Sequence, residues 1–432
     1  MGPKGRPEGE CRPAKHGGRP VSADLESPAA TAPGRIAFDA SALSRPRFTA
    51  LPPLSLYVHI PWCVRKCPYC DFNSHAAPEA LPEEAYVDAL IADLETSLPL
   101  VWGRRVGSIF IGGGTPSVFS AASVDRLLAA IRARLPIAPD AEITLEANPG
   151  TFEREKFAGY YAAGVNRLSL GIQSFDDRHL RALGRVHDAH EARRAAEAAL
   201  MIFGNVNFDL MFALPGQDVD DALKDVRAAL AFGPPHLSFY HLTIEPNTLF
   251  HRYPPHIPDD DIAADIEDAV LFALDAAGYL HYETSAHAKP ERECRHNVNY
   301  WRFGDYLGIG AGAHSKLSFP DRVLRQLRWK QPMQYLEQVA QAAPLQENLE
   351  VSRRDLPFEF MLNALRLTDG VPSAMFAERT GLPIALAASA IDEGTRRGLL
   401  EPDPALLRPT PLGRRFLNDL QSLFLADRGT RS

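Results

Sequence analysis

Residues 57–75 read YVHIPWCVRKCPYCDFNSH: a β-rich run that passes into Cys63, Cys67 and Cys70, with Phe72 where a fourth thiol could stand. Three thiolates can begin a zinc site, but structural zinc is closed by four ligands. His59, His75 and Cys294 are available as the fourth. An iron–sulfur cluster held by only three cysteines makes a different kind of sense, because one iron then keeps a position open for another ligand.

Outward from this stretch, short β-rich runs alternate with amphipathic ones. The strand candidates are LSLYVHI (54–60), VGSIFIG (106–112), EITLEAN (142–148), RLSLGIQ (167–173), NVNFDLMFAL (205–214) and HLSFYHLTI (236–244). Between them lie helical patterns such as PEEAYVDALIADLETSL, SVDRLLAAIRARL and DDALKDVRAALAF. Alternation of this kind predicts a parallel sheet covered by helices, since parallel neighbours require a right-handed crossover. Periodicity alone leaves an open doubly wound sheet and a barrel as alternatives. In both, ligands bind at the carboxyl ends of the strands, and several of these strands end in chemically useful residues: Gly112 to Thr115, Glu146, Gln173 and Asp209.

The composition excludes several classes. Of the 432 residues, 45% are hydrophobic and 23% charged, as in ordinary globular proteins. No apolar run approaches the roughly 18 residues of a spanning helix, which leaves peripheral membrane contact as the only membrane role. The formal charge of -8 gives no reason to expect a nucleic-acid partner. The five cysteines, with Cys11 and Cys294 isolated, do not form a disulfide framework, so metal binding in a reducing, cytoplasmic setting is expected.

Residues 1–50 are rich in Pro, Gly, Ala and Arg without apolar periodicity and are expected to be a disordered extension. Glu8, Glu10, Asp24 and Glu26 are too many acids for a transit peptide. The expected division is a barrel core over 51–290, a connecting segment completing the side of the barrel over 291–350, and a C-terminal module over 351–432. That last portion reads helix, turn at Gly381, helix, short hairpin, helix, the outline of a winged helix. Asp392 and Glu393 offset Arg396 and Arg397 on its second helix, so a structural or interaction role is expected rather than DNA reading.

The spacing CxxxCxxC resembles that of radical S-adenosylmethionine proteins. The resemblance implies a partial (βα)6 barrel with a smaller winged-helix-like C-terminal domain. It also implies a [4Fe-4S] cluster on Cys63, Cys67 and Cys70, and S-adenosyl-L-methionine chelated to the open iron, where reductive cleavage generates a 5′-deoxyadenosyl radical. GGGTP (112–116) then gives Gly113, Gly114 and Thr115 to the cofactor's amino group. Within these proteins the chain is most similar to the oxygen-independent coproporphyrinogen oxidase family. Its Glu146, Gln173, Arg185 and Asp209 match that family's cofactor contacts, and an acid for ribose hydroxyls with an amide and a guanidinium for a carboxylate suits a zwitterionic nucleoside. Tyr57 and Tyr69 match aromatic positions beside cluster and cofactor. Thr243 and His314 align with two further contact positions but differ in residue type.

The oxidase carries CxxxCxxCxC, whereas this chain reads CxxxCxxCDFNSH, which resembles the heme chaperone branch, the HemW type. HNVNYW (296–301) and GIGAGAHS (308–315) resemble that branch as well. The implied role is to bind heme and deliver it to acceptor proteins, with an electron donor for the cluster; coproporphyrinogen oxidation is the alternative. An interaction or regulatory protein is the reading if no cluster forms. His296, Tyr300, Trp301 and His314 are candidates to ligate or stack heme. The alternative is that these aromatics pack the barrel against the C-terminal module, as aromatics at such junctions usually do.

Overall fold

The computed structural model describes residues 45–150 and 153–425. The proposed extension therefore lies outside the described residues up to residue 44, and Cys11 with it. Residues 45–50 are seated rather than loose: Phe48 N–H donates to the Pro320 carbonyl at 3.1 Å, and the Phe48 side chain packs against the C-terminal hydrophobic cluster.

Six strands carry the barrel: β1 (Leu54–Ile60), β2 (Val106–Gly113), β3 (Ile137–Ala147), β4 (Arg167–Gln173), β5 (Val206–Phe212) and β6 (His236–His241). Each pairs in parallel with the next. Helices cross between them, among them Glu83–Ser97, Ala121–Arg134, Glu153–Ala163, Ala189–Ile202 and Val219–Phe232. Alternation along each strand decides the two faces. On β1, Leu54, Leu56, Val58 and Ile60 are buried in the apolar cluster under the helices, while Ser55, Tyr57 and His59 lie on the other face. There Ser55 Oγ meets Ser108 Oγ at 2.8 Å, and Tyr57 Oη meets His59 Nδ1 at 2.9 Å. Burying each such aliphatic side chain contributes about 1.5–3 kcal/mol, so the face beneath the helices holds the fold and the inward face is free to be polar.

After β6 the chain turns back as β7 (Leu280–Glu283) and β8 (Ala286–Ala288), with β8 antiparallel to β6. It then crosses to the opposite edge, where β9 (Asp305–Ile309) pairs in parallel with β1. An antiparallel meander extends that edge through β10 (His314–Phe319), β11 (Arg322–Arg328) and β12 (Leu345–Glu350). The 12-stranded sheet runs β12-β11-β10-β9-β1-β2-β3-β4-β5-β6-β8-β7, so its two edges belong to different strands and the barrel stays partial.

Between β8 and β9 the helix Arg295–Trp301 closes the end of the barrel away from the cysteines. His296 is fully buried, with Nδ1 3.0 Å from Ser108 Oγ, and its backbone N–H donates to Glu142 Oε1 at 3.3 Å. Trp301 reaches the C-terminal module, where the Arg366 guanidinium lies 4.3 Å from its ring. The aromatic stretch thus spans barrel and module, but His296 itself hydrogen-bonds inside the barrel. The module has its own apolar cluster around Phe360, Phe376, Leu400 and Leu420. It holds the helices Leu356–Ala364, Ala374–Thr380 and Ala388–Arg396, the last two separated by the turn at Gly381 (φ 68°), and a strand pair of Val371–Pro372 with Leu406–Leu407. Arg396 and Arg397 both pair with Glu393 at 2.6 Å, which offsets part of the positive charge at the end of that last helix.

Candidate functional site

The cysteine loop leaves β1 and is tied down on both sides. Trp62–Cys63 pairs in parallel with His75–Ala76, and Lys66 Nζ closes the loop by donating to the carbonyls of Phe72 (3.2 Å) and Ser74 (3.1 Å). Asn73 Nδ2 donates to the carbonyls of Ala311 and Lys330, each at 2.9 Å, anchoring the loop to the far edge of the sheet. The glycine turn after β2 is bound to the same loop: Gly114 N–H donates to the Ile60 carbonyl (2.7 Å) and Thr115 N–H to that of Trp62 (2.8 Å). Side chains would break this approach. A Cβ at Gly113 (φ 119°) would lie 2.5 Å from the His59 ring, and one at Gly114 would lie 2.7 Å from the Trp62 carbonyl oxygen.

A cavity of about 360 Å³ lies over the strand ends. It gathers Cys63, Cys67, Tyr69, Cys70, Gly113, Gly114, Thr115, Glu146, Gln173, Arg185, Asp209 and Thr243. Strand register brings them together. Gly112 stands opposite Glu146 by continuation of the Ile111–Leu145 pairing, Glu146 opposite Ser169, and Gly171 opposite Asp209. Gln173 is held at φ 68°, a left-handed conformation that costs a non-glycine residue energy and is typical of functional sites.

Two carboxylates share this space. Glu146 Oε2 accepts from Gly113 N–H at 3.0 Å, and Asp209 accepts from Ser169 Oγ at 2.9 Å and Asn207 Nδ2 at 2.8 Å. Burial, reinforced by the Asp209 charge, pushes the Glu146 carboxyl up to about 8. Burial likewise raises Asp209 above the usual carboxylate range. Such a pair favours a cationic ligand, because a positive charge removes the cost of ionising both acids. On the opposite wall Arg185 donates to the Asn148 side-chain oxygen (2.7 Å), the Gly171 carbonyl (2.9 Å) and Cys67 Sγ (3.5 Å).

Two expected contacts lie elsewhere. Tyr57 faces the interior below the cavity, its ring near those of Phe110 and His296. His314 begins the antiparallel strand β10, opposite Leu327, and is exposed. Thr243 lines the cavity, with its hydroxyl donated to Glu245 at 2.7 Å. Asn148 and Tyr240 line the cavity but are not among the expected residues. Alternation along HLSFYH, which turns His236 and Ser238 inward, was the available signal for Tyr240.

The donor set distinguishes the two metal readings. A tetrahedral zinc draws sulfurs to within about 4 Å of one another. Among the described residues no three or more His, Cys, Asp or Glu side chains converge on one point where an ion could sit. Two of the three proposed fourth zinc ligands lie in other contacts, Cys294 buried at the other end of the barrel with Sγ 3.6 Å from Glu142 and His59 between Tyr57 and the Asn73 carbonyl, while His75, on the loop itself, has Nε2 3.3 Å from Asn73 Oδ1. Three thiols of one loop lining a cavity with a glycine cradle fit a cubane cluster, whose thiolates attach to separate irons. Burial pushes the Cys63 thiol above its ordinary value, opposed by the Thr115 hydroxyl.

Comparison with known proteins shows the family. Residues 57–229 match the model of the Radical SAM superfamily, and residues 351–416 match that of the HemN C-terminal domain. The chain is similar to the heme chaperone HemW of Escherichia coli (strain K12), 50% identical over 379 residues, covering 87% of this chain and 99% of the relative. It is 48% identical over 383 residues to the heme chaperone HemW of Haemophilus influenzae, with the same two coverages. Among solved structures, the coproporphyrinogen III oxidase HemN from Escherichia coli, a radical SAM enzyme, superposes with a TM-score of 0.74 at 24% identity, over 87% of this chain and 90% of that one, which establishes the fold. No helix among the described residues is long and apolar enough to cross a membrane. With half its residues identical over nearly the whole length of a named relative, the chain belongs to the heme chaperone HemW family of radical SAM proteins.

Proposed function

We propose that this protein binds heme and delivers it to acceptor proteins, and that it does so as a carrier rather than as a coproporphyrinogen oxidase. The observation that carries the reading is Phe72. It stands at the edge of the cavity, 63% exposed, where the oxidase pattern has a further cysteine. An oxidase must take electrons from the tetrapyrrole after hydrogen abstraction, and an exposed phenyl ring supplies no ligand for that purpose. A carrier needs only a reversible heme site and a surface for its acceptor.

In this reading Cys63, Cys67 and Cys70 hold a [4Fe-4S] cluster, which supplies one-electron chemistry toward S-adenosylmethionine when an electron donor reduces it. Gly113, Gly114 and Thr115 present backbone and hydroxyl to the methionine end of the cofactor. Arg185 and Gln173 face its carboxylate, and Glu146 and Asp209 receive the ribose hydroxyls while lowering the cost of holding its positive charge. Tyr69 closes the side beside Arg185, Thr243 the outer rim, and Tyr57 and His314 stand in the surrounding shell. The heme ligand is left unassigned. The deciding experiment is an anaerobic heme titration of the protein with and without its cluster, paired with a coproporphyrinogen III assay. Stoichiometric heme and no decarboxylated product support the carrier; protoporphyrinogen formation returns the chain to the oxidases.

A further inference from the structure

The cavity wall contains one residue that neither the sequence pattern nor the comparisons single out. Asn148 follows the last residue of β3 and uses both ends of its amide. Its Nδ2 donates to Thr115 Oγ1 at 2.9 Å, and its Oδ1 accepts from Arg185 Nη2 at 2.7 Å. Each partner stands beside a different cysteine. Arg185 Nη1 donates to Cys67 Sγ at 3.5 Å, and Thr115, whose backbone N–H donates to the carbonyl of Trp62 at 2.8 Å, lines the cavity together with the adjacent Cys63. The amide therefore spans two side chains from separate segments, Thr115 in the turn after β2 and Arg185 in the loop after the helix Asp177–Ala182.

The neighbouring backbone is shaped around this bridge. At Gly171 a Cβ would come within 2.5 Å of Asn148 Oδ1, so the close passage of the amide requires glycine there. The Gly171 carbonyl takes the second bond from Arg185 Nη2, at 2.9 Å. A backbone contact on Asn148 itself, its N–H with Ser117 Oγ at 3.4 Å, is long by comparison. The short contacts of this residue are those of its side-chain amide.

We infer that Asn148 is a positioning residue for the cluster and its cofactor: its amide fixes Thr115 and Arg185 so that both donate toward the cysteine sulfurs and Arg185 stays aimed into the cavity. The inference rests on the cluster reading above. Donors on cluster sulfurs stabilise the reduced, more negative state and so raise the reduction potential. Without the amide, Thr115 regains rotamer freedom and Arg185 loses one of its fixed partners, so both donations weaken together. An Asp at this position would keep the acceptor for Arg185 but lose the donor to Thr115, and an aliphatic residue would lose both.

The test compares wild type, Asn148→Ala, Thr115→Val and the double variant, each reconstituted anaerobically as the full chain. The measurements are iron content, reduction potential of the cluster and S-adenosylmethionine affinity. Asn148→Ala should keep its iron, shift the potential to more negative values and weaken S-adenosylmethionine about tenfold. In the Thr115→Val background the further shift in potential from Asn148→Ala should be smaller, because part of its effect runs through the Thr115 hydroxyl. Asn148→Ser, too short to span the two partners, should behave like the alanine variant and replaces it if that variant does not fold. An unchanged potential and affinity with full iron overturns the inference. So does loss of iron in both variants, which would make Asn148 a folding residue only. If wild type itself takes up no cluster, the inference falls together with the cluster reading, and the iron content of wild type separates that case from the others.

Discussion

The backbone N–H of Gly113 donates to Glu146 Oε2 at 3.0 Å, joining the glycine turn after β2 to the acid at the end of β3. Burial, with the Asp209 charge added, holds the Glu146 carboxyl up to about 8, and this donor only partly opposes them. Replacing Glu146 or Asp209 by Ala should weaken S-adenosylmethionine binding while leaving iron content intact, since both acids face the cofactor space and neither is a cluster ligand. Equilibrium binding and iron analysis on the same preparations check this, and unchanged affinity in both variants would count against the assignment.

The raised Glu146 value also predicts a pH dependence. The folded, cofactor-free protein holds this proton up to about pH 8, whereas the unfolded chain releases it near 4.5. The folded state therefore binds more protons across this window, and the contribution of Glu146 to stability, fully present below it, is lost as pH rises through about 8. Thermal unfolding of cofactor-free wild type between pH 5 and 8 should fall more steeply with pH than that of Glu146→Gln. A cationic ligand reverses the preference, so S-adenosylmethionine affinity should rise with pH over the same interval in wild type and respond less in the variant.

Anaerobically reconstituted protein should contain about four irons per chain, and Cys67→Ala should lose nearly all of them. Iron and sulfide analysis with the charge-transfer absorption checks this. Zinc that survives reconstitution in stoichiometric amount, with no such absorption, would sink the cluster.

Asp93 on the first helix and Arg328 on β11 are both fully buried and pair at 3.3 Å, and Asp93 also accepts from Tyr335 Oη (2.9 Å) and Gly310 N–H (3.1 Å). Asp93→Ala leaves the guanidinium buried without its counter-charge and should destabilise the protein by about 3–5 kcal/mol. Urea denaturation should show a lower midpoint at similar slope. His296→Ala removes a buried ring and its bond to Ser108, and should cost about 2–4 kcal/mol in the same assay.

Local order was readable from the chain. The run 54–60 and the run 167–173 are strands with the bounds their alternation implies, and EITLEAN falls, all but its final Asn148, within a strand that starts earlier, at Ile137. A two-residue period records which side chains share a face, and the acids, amide and glycines at the strand ends could therefore be picked out one by one. The CxxxCxxC spacing, confined to one loop, needed no tertiary information at all.

Everything that depends on distant segments meeting was decided by the tertiary structure. Periodicity did not say that 305–350 would cross to the free edge beside β1, that residues 45–50 would be seated on the C-terminal module, or that Cys294 would turn toward Glu142 at the far end of the barrel. Nor could it choose among the polar residues on one face: Asn148 matters because Thr115, from the turn after β2, and Arg185, from the loop after the helix Asp177–Ala182, both reach it, and His314 does not line the cavity although β10, antiparallel to β9, starts at the same end of the sheet. The sequence determined the elements and the chemistry at their ends, because those follow from neighbours along the chain. Register, crossover and the closing of the barrel around them are agreements between residues far apart in sequence, and only the folded chain brings those residues together.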